Sequence, residues 1–406
     1  MNGSSLSSWS SRRRLPFALL ARLALVFVAA MAVGGAAFAQ NVPQQFVLSD
    51  KAAEKTHDFT TINLATSERI AESCEEAVIA KGNGRGVHTI TILDKAGNFV
   101  YMDRMDGQGY VNIITSEMKA RTTLMGLVPS KTWANRIIQD PTQEAELIQL
   151  GYYPVSGGLP ILVNQQLIGV IGVGGYPPNP PVWSDEICAH TAMAKVIGTS
   201  VPPLLEDVRQ QRTPNPNAVP VPRFITSTTP KATLPAEFVV GGAGAAKVFD
   251  GNQISLAAAK KIARACRDWA ASKGATEAAY VVDTFGELVH VERMDGEVPE
   301  ELRTALLKAQ TSLRERLPTS VNAAQLKNNP AGFVRSADGF KWFAEPGGIP
   351  IVVDGQMIGA LGVTVGGAAG GDEACAIAGL KATFGERVTL PDYKPANPAP
   401  AAAPGR

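Results

Sequence analysis

The stretch Asp94–Gly107 is written a second time at Asp283–Gly296, both reading Asp-x-x-Gly-x-x-Val-x-x-x-Arg-Met-Asp-Gly. The same offset of 189 residues carries Lys119-Ala120-x-Thr122 onto Lys308-Ala309-x-Thr311, and Pro129-Ser130 onto Pro318-Thr319. Upstream, a longer loop around Gly84 changes the offset to 192 and aligns Ile70-Ala71-x-x-Cys74 with Ile262-Ala263-x-x-Cys266. Downstream, Gly157-Gly158-Leu159-Pro160-Ile161 matches Gly347-Gly348-Ile349-Pro350-Ile351, and Asp185-Glu186-x-Cys188-Ala189 matches Asp372-Glu373-x-Cys375-Ala376. Such constancy marks a tandem duplication, so the fold must be one that about 135 residues complete and the chain writes twice.

Within one copy, Asn63 or Ser255 precedes an apolar pattern of helical spacing and predicts an N-capped opening helix that runs to about Lys81 or Lys273. Next comes period-two alternation on either side of Gly97 or Gly286, which predicts a β-hairpin. A helical segment around Lys119 or Lys308 ends near Pro129 or Pro318, because proline cannot continue the hydrogen-bond ladder. Two further strands follow, and Asp354-Gly355 is a strong hairpin dipeptide. Asp185-Glu186 and Asp372-Glu373 then open a closing helix, where its dipole favours carboxylates. This order predicts an α+β fold: two repeated domains, each a mainly antiparallel sheet flanked by helices. The glycines of "GVIGVGG" lie inside a strand pattern, without the strand, G-x-G-x-x-G and helix order of a dinucleotide site.

The expected domains are residues 63–200 and 252–389. Residues 1–39 are expected to be a signal peptide: Arg12, Arg13 and Arg14 precede an apolar run from Leu23 to Ala37 and the small-x-small site Ala37-Phe38-Ala39. Whether the twin-arginine or the general route is used stays open, as does an uncleaved anchor, although Arg22 leaves the apolar run short of a span. After signal removal no stable membrane span is expected, and the location is periplasmic or secreted. Residues 40–62 form an N-terminal extension, the proline-rich stretch 201–251 a semi-rigid connector, and the Pro/Ala tail 390–406 a disordered end. A net charge of +1 gives no field for a polyanion, so nucleic acid is not an expected partner.

Taken together, the repeated Arg-Met-Asp-Gly, Lys-Ala-x-Thr, Gly-Gly-x-Pro-Ile and Asp-Glu-x-Cys-Ala motifs resemble the GlcG and HbpS family of haem-binding proteins, over nearly the whole chain outside connector and tail. The resemblance implies a sheet flanked by helices whose subunits commonly pair, with haem as the cofactor. Two copies in one chain then look like a covalently joined pair, with a homo-oligomer an expected assembly. It implies a carrier, sensor or accessory factor rather than a classical enzyme. Two other readings stay open: an enzyme acting on a small carboxylate metabolite, and a non-catalytic structural or interaction module.

The candidate ligand residues are Arg104, Asp106, Lys119, Gly157 and Gly158 in the first copy, and Arg293, Asp295, Lys308, Gly347 and Gly348 in the second. In one reading each Arg, with the neighbouring Lys, receives a carboxylate such as a haem propionate through its planar fork. In the other, each Arg pairs with its own Asp or caps a helix, and the Asp closes its own turn. The paired glycines make either a bend or a place of close approach. An iron ligand would be His, Met, Tyr or Cys, yet His57, His88, His190 and His290 have no histidine at the equivalent position of the other copy; His290 aligns with Tyr101 and His190 with Ile377. Cys74, Cys188, Cys266 and Cys375 fall at two equivalent positions per copy, either as one disulfide in each or as four small buried residues.

Overall fold

The computed structural model describes residues 42–56, 60–81, 86–175, 183–198, 201–205, 233–241, 244, 251–330, 341–367 and 371–391. The expected signal peptide, His57, most of the connector and all but the start of the tail lie outside these residues. The first copy runs α1 (Asp50–Thr56), α2 (Leu64–Lys81), β1 (His88–Leu93), β2 (Phe99–Arg104), α3 (Val111–Gly126), α4 (Ser130–Gln139), α5 (Glu144–Gln149), β3 (Gly158–Val163), β4 (Gln166–Gly175) and α6 (Asp185–Ile197). The second runs α7 (Leu256–Ser272), β5 (Thr276–Asp283), β6 (Leu288–Arg293), α8 (Pro299–Glu315), α9 (Thr319–Asn328), β7 (Gly348–Val353), β8 (Gln356–Gly366) and α10 (Gly371–Phe384).

Local chemistry explains the boundaries. Asn63 and Ser255 cap the opening helices through bonds that their side chains accept from the amides of Thr66 and Ala258. Asp354 and Gly355 both have positive φ, 49° and 77°, as the tight β7–β8 turn demands. Helices α3 and α8 end in left-handed residues, Leu127 and Arg316, two positions before Pro129 and Pro318. Those prolines then open the further helices α4 and α9, which the sequence pattern did not predict.

All eight strands form one antiparallel sheet in the order β3-β4-β1-β2-β6-β5-β8-β7, which reads the same from either end when equivalent strands are exchanged. The copies meet edge to edge where Tyr101, Met102 and Asp103 pair with Glu292, Val291 and His290. Joining the two edges pairs backbone groups that each copy alone would expose. The sheet carries helices on both faces. Ile90 and Ile92 enter the core with Ile70 and Cys74 of α2, whereas Thr91 points the other way and bonds the Ser116 hydroxyl of α3 at 2.8 Å.

The strand glycines explain how closely α3 and α8 approach. A Cβ on Gly172 would lie 2.0 Å from the Ser116 carbonyl oxygen, and one on Gly362 2.0 Å from that of Ala305. "GVIGVGG" is therefore a bed for a helix. On the opposite face the opening and closing helices of each copy pair, and disulfides join Cys74 to Cys188 and Cys266 to Cys375.

Each repeat also starts earlier than the helical pattern indicates. Phe46, Val47 and Leu48 are buried and Val47 pairs with Ile62; 192 residues on, Val239 pairs with Ile254, and Val239 and Val240 are buried. Residues 233–241, assigned from sequence to the connector, thus pack as part of the second copy. A one-residue bridge has no periodicity to read, and this one sits beside Pro235.

Candidate functional site at the joint between the repeats

The repeated Arg-Met-Asp-Gly is a reciprocal clamp. Arg104 Nη2 donates to Asp283 Oδ2 at 2.7 Å, and Arg293 Nη2 donates to Asp94 Oδ2 at 2.8 Å. Asp94 Oδ1 closes its hairpin by accepting from the amides of Ala96 and Asn98, and Asp283 Oδ1 accepts likewise from Phe285 and Glu287. One carboxylate thus shapes a turn in its own copy and holds the arginine of the other. Asp106 accepts from the Leu256 amide and Asp295 from the Leu64 amide, each at 2.8 Å, so each caps the opening helix of the opposite copy. Burial pushes both carboxyls up in pKa, although the amide bonds pull the other way. The sequence expectation that paired each Arg with its own Asp is corrected, because the partners lie across the joint, where both arginines are buried.

Lys119 and Lys308 are held elsewhere, each inside its own copy. Lys119 Nζ donates to Asp185 Oδ2 at 2.7 Å and to the Val173 carbonyl at 2.9 Å, and Lys308 makes the equivalent bonds to Asp372 and Val363. Gly157 and Gly347, at φ 124° and 114°, turn the chain past these lysines, and a Cβ on Gly158 or Gly348 would meet the lysine's own carbonyl oxygen at 2.3 or 2.4 Å. The paired glycines are therefore a close approach of strand to helix. Arg104 and Lys119 do not share a carboxylate, and neither do Arg293 and Lys308: Asp283, Asp185, Asp94 and Asp372 each hold one of the four cations.

A network that the sequence reading missed fills the joint on the α2 and α7 face. His290 Nδ1 lies 2.5 Å from Asp103 Oδ1, and its Nε2 lies 3.0 Å from Glu292 Oε2, all fully buried. Lys260 binds Asp103 at 2.9 Å and approaches Glu75 at 3.4 Å, while Arg264 pairs with Glu68 and Glu72, and Arg267 with Glu68. With the 192 offset, Glu68, Glu72 and Glu75 of α2 stand where α7 has Lys260, Arg264 and Arg267. The duplicated helices have become charge-complementary. That signal was present in the aligned repeats, but its meaning required knowing that the two helices face each other.

Burial alone would lower the His290 pKa; the Asp103 carboxylate, its hydrogen bond and Glu292 reverse this and push it up to about 9. Burial, and then the neighbouring Asp103 or Glu292, raises the Glu75 and Glu277 carboxyls well above their ordinary value. A histidine whose folded pKa exceeds its ordinary value near 6.5 stabilises the fold fully below pH 6.5, and that contribution is lost as pH rises through about 9. Unfolding free energy is thus expected to decline between pH 6.5 and 9, and His290→Gln is expected to flatten that slope. Urea titrations across this pH range check it.

This geometry also bears on iron ligation. Both ring nitrogens of His290 are engaged. His88 is buried, with Nε2 accepting from Trp183 and Nδ1 3.2 Å from Asp185. Tyr101 is fully buried beneath Lys260. His190 is half-buried on α6. Among the described residues no group of three His, Cys, Asp or Glu side chains is placed to hold a metal ion.

Among the described residues, two open surfaces bear on ligand binding. A cleft of about 220 Å³ is lined by Arg293, Lys55, Thr61, Ala96, Asn98 and Pro299, among others. Along α3, Val111, Ile114, Met118 and Met125 are exposed at 63%, 59%, 37% and 47%, a stripe with Arg121 between its two methionines. The equivalent positions of α8 hold Glu300, Arg303, Leu307 and Arg314, so the apolar stripe belongs to the first copy alone.

A family model described as "Haem degrading protein HbpS-like" matches residues 62–194 and again residues 254–381. No curated protein matches the chain. Solved structures similar to it include protein ORFY of Klebsiella pneumoniae, at 24% identity over 33% of this chain and 89% of that one, with a TM-score of 0.28. A double mutant of HbpS from Streptomyces reticuli is 27% identical over 34% of this chain and 88% of its own, with a TM-score of 0.29. A PduOC:heme complex is 16% identical over 35% and 99%, with a TM-score of 0.31.

Proposed function

Because the chain belongs to the HbpS-like family and carries that family's domain twice, we propose that it is an exported haem-binding protein acting as a carrier, sensor or accessory factor. The two matches to the family model are the observation that carries this reading. Export is supported by the sequence of the first 39 residues and by two disulfides, which persist in oxidising compartments. No described helix is long and apolar enough to cross a membrane.

The four repeated cations are already paired with carboxylates, and the Arg293 cleft, at about 220 Å³, is small beside the roughly 300–1,000 Å³ of most small-molecule sites. The exposed α3 stripe fits haem better. It offers an apolar surface for a flat macrocycle, the thioethers of Met118 and Met125 as ligand types that haem iron accepts, and the Arg121 guanidinium, whose pair with Glu117 is solvent-exposed and can be exchanged for a haem carboxylate, unlike the buried pairs of the four repeated cations. Haem would supply the redox-active iron there, while this chain would supply the apolar bed and the charge. Titration with hemin is expected to give one saturable Soret shift per chain. Ile114→Glu with Met118→Ala is expected to weaken it at least about tenfold, the worth of 1.4 kcal/mol. Absence of saturation in the unaltered protein would sink the reading.

A further inference from the structure

Arg104 and Arg293 end equivalent strands, yet what lies beside them differs. The Tyr110 ring sits over the Arg104 guanidinium at 4.9 Å, its hydroxyl accepts from Gln253 Nε2 at 3.0 Å, and the Phe285 ring lies 6.2 Å from it. The offsets of 189 and 192 put Pro299, Ala96 and Thr61 at the positions equivalent to Tyr110, Phe285 and Gln253. Each is smaller than its counterpart, and all three line the cleft beside Arg293. The cleft is thus the place that one half of the molecule fills with its own phenol ring.

The arginine is arranged to offer its face. Arg293 donates through Nε to the Phe99 carbonyl, through Nη1 to the Glu297 carbonyl and through Nη2 to Asp94, at 3.0, 2.8 and 2.8 Å. These three bonds use three of the five N–H donors and fix the guanidinium plane, so a ligand in the cleft can stack on a face that is held in place. A cavity of roughly 150 Å³ takes up benzene, so about 220 Å³ suits one substituted ring. Lys55 stands at the rim with nearly half its side chain exposed, and Thr61 and Asn98 add polar groups to the wall.

We propose that the Arg293 cleft binds a single-ring aromatic molecule bearing hydroxyl or carboxylate oxygen, stacked on Arg293 as Tyr110 stacks on Arg104. This site is separate from the haem surface on α3 and does not depend on it. The test is calorimetric titration of the full chain with 4-hydroxybenzoate and with phenol. The unaltered protein is expected to bind one equivalent, and cyclohexanol, which has no π face, to bind several-fold more weakly. Ala96→Phe restores the ring that the other half carries and is expected to abolish binding while the hemin titration and melting temperature stay unchanged. Tyr110→Ala combined with Phe285→Ala opens the equivalent place beside Arg104 and is expected to raise the stoichiometry to two. No saturable binding by the unaltered chain, or equal binding by folded Ala96→Phe protein, overturns the proposal. Should Ala96→Phe fail to fold, Pro299→Tyr fills the cleft from the other wall and is expected to abolish binding in the same way, with equal binding again overturning the proposal.

Discussion

Arg104→Ala is expected to lower the unfolding free energy by about 3–5 kcal/mol, with Arg293→Ala costing a similar amount. Asp283 is fully buried and its Oδ2 has Arg104 as partner across the joint. Removing the guanidinium leaves a desolvated carboxylate whose other oxygen is committed to the amides of its own hairpin turn, so it cannot swing towards water without opening that turn. The Tyr110 ring loses its platform in the same step. Arg104→Lys is not expected to rescue the loss, because an ammonium group lacks the planar fork. Chemical denaturation followed by circular dichroism measures this. A loss under about 1 kcal/mol, the range of an exposed ion pair, would show that the clamp is solvated and the joint looser than described. Where the variants remain folded, hemin affinity is expected to stay unchanged, since neither arginine belongs to the α3 surface.

Replacing Cys74 and Cys188 together by Ala is expected to cost about 4–5 kcal/mol, the chain-entropy figure for a loop of roughly a hundred residues. The separations are 114 residues for this pair and 109 for Cys266–Cys375. Each bridge ties the opening helix to the closing helix of one copy, and the two loops do not overlap in the chain, so the costs are expected to add. Full reduction should therefore lower stability about twice as much as either double replacement, measured as the denaturation midpoint with and without dithiothreitol. Thiol titration of unfolded, unreduced protein is expected to find no free thiol. Four free thiols would overturn the pairing and support the alternative in which these residues only fill the core.

Most of the local architecture was legible because it is written in short-range chemistry. The caps at Asn63 and Ser255, the turns at Gly97, Gly286 and Asp354-Gly355, and the two hairpins of each copy follow from periodicity and turn residues. The separate helices after Pro129 and Pro318 were not legible, because proline ends one helix and opens the next equally well. Neither was the early start of each repeat, where burial of Phe46, Val47 and Val239 depends on the sheet they lie against.

The site divides the same way. Sequence alone determined that Arg, Asp, Lys and paired Gly recur together and that the histidines do not. It could not determine whom those groups bind, because a motif present in both copies offers two identical sets of partners, one at home and one across the joint. The choice was made by the meeting of β2 with β6, which sets Arg104 beside Asp283, Asp106 at the start of α7 and His290 beside Asp103. Edge pairing of strands is a long-range event whose backbone hydrogen bonds carry no residue code, and burial then favours an ion pair or an amide bond for the charges brought to that edge. Only the tertiary structure could turn a repeated tetrapeptide into a clamp between two halves.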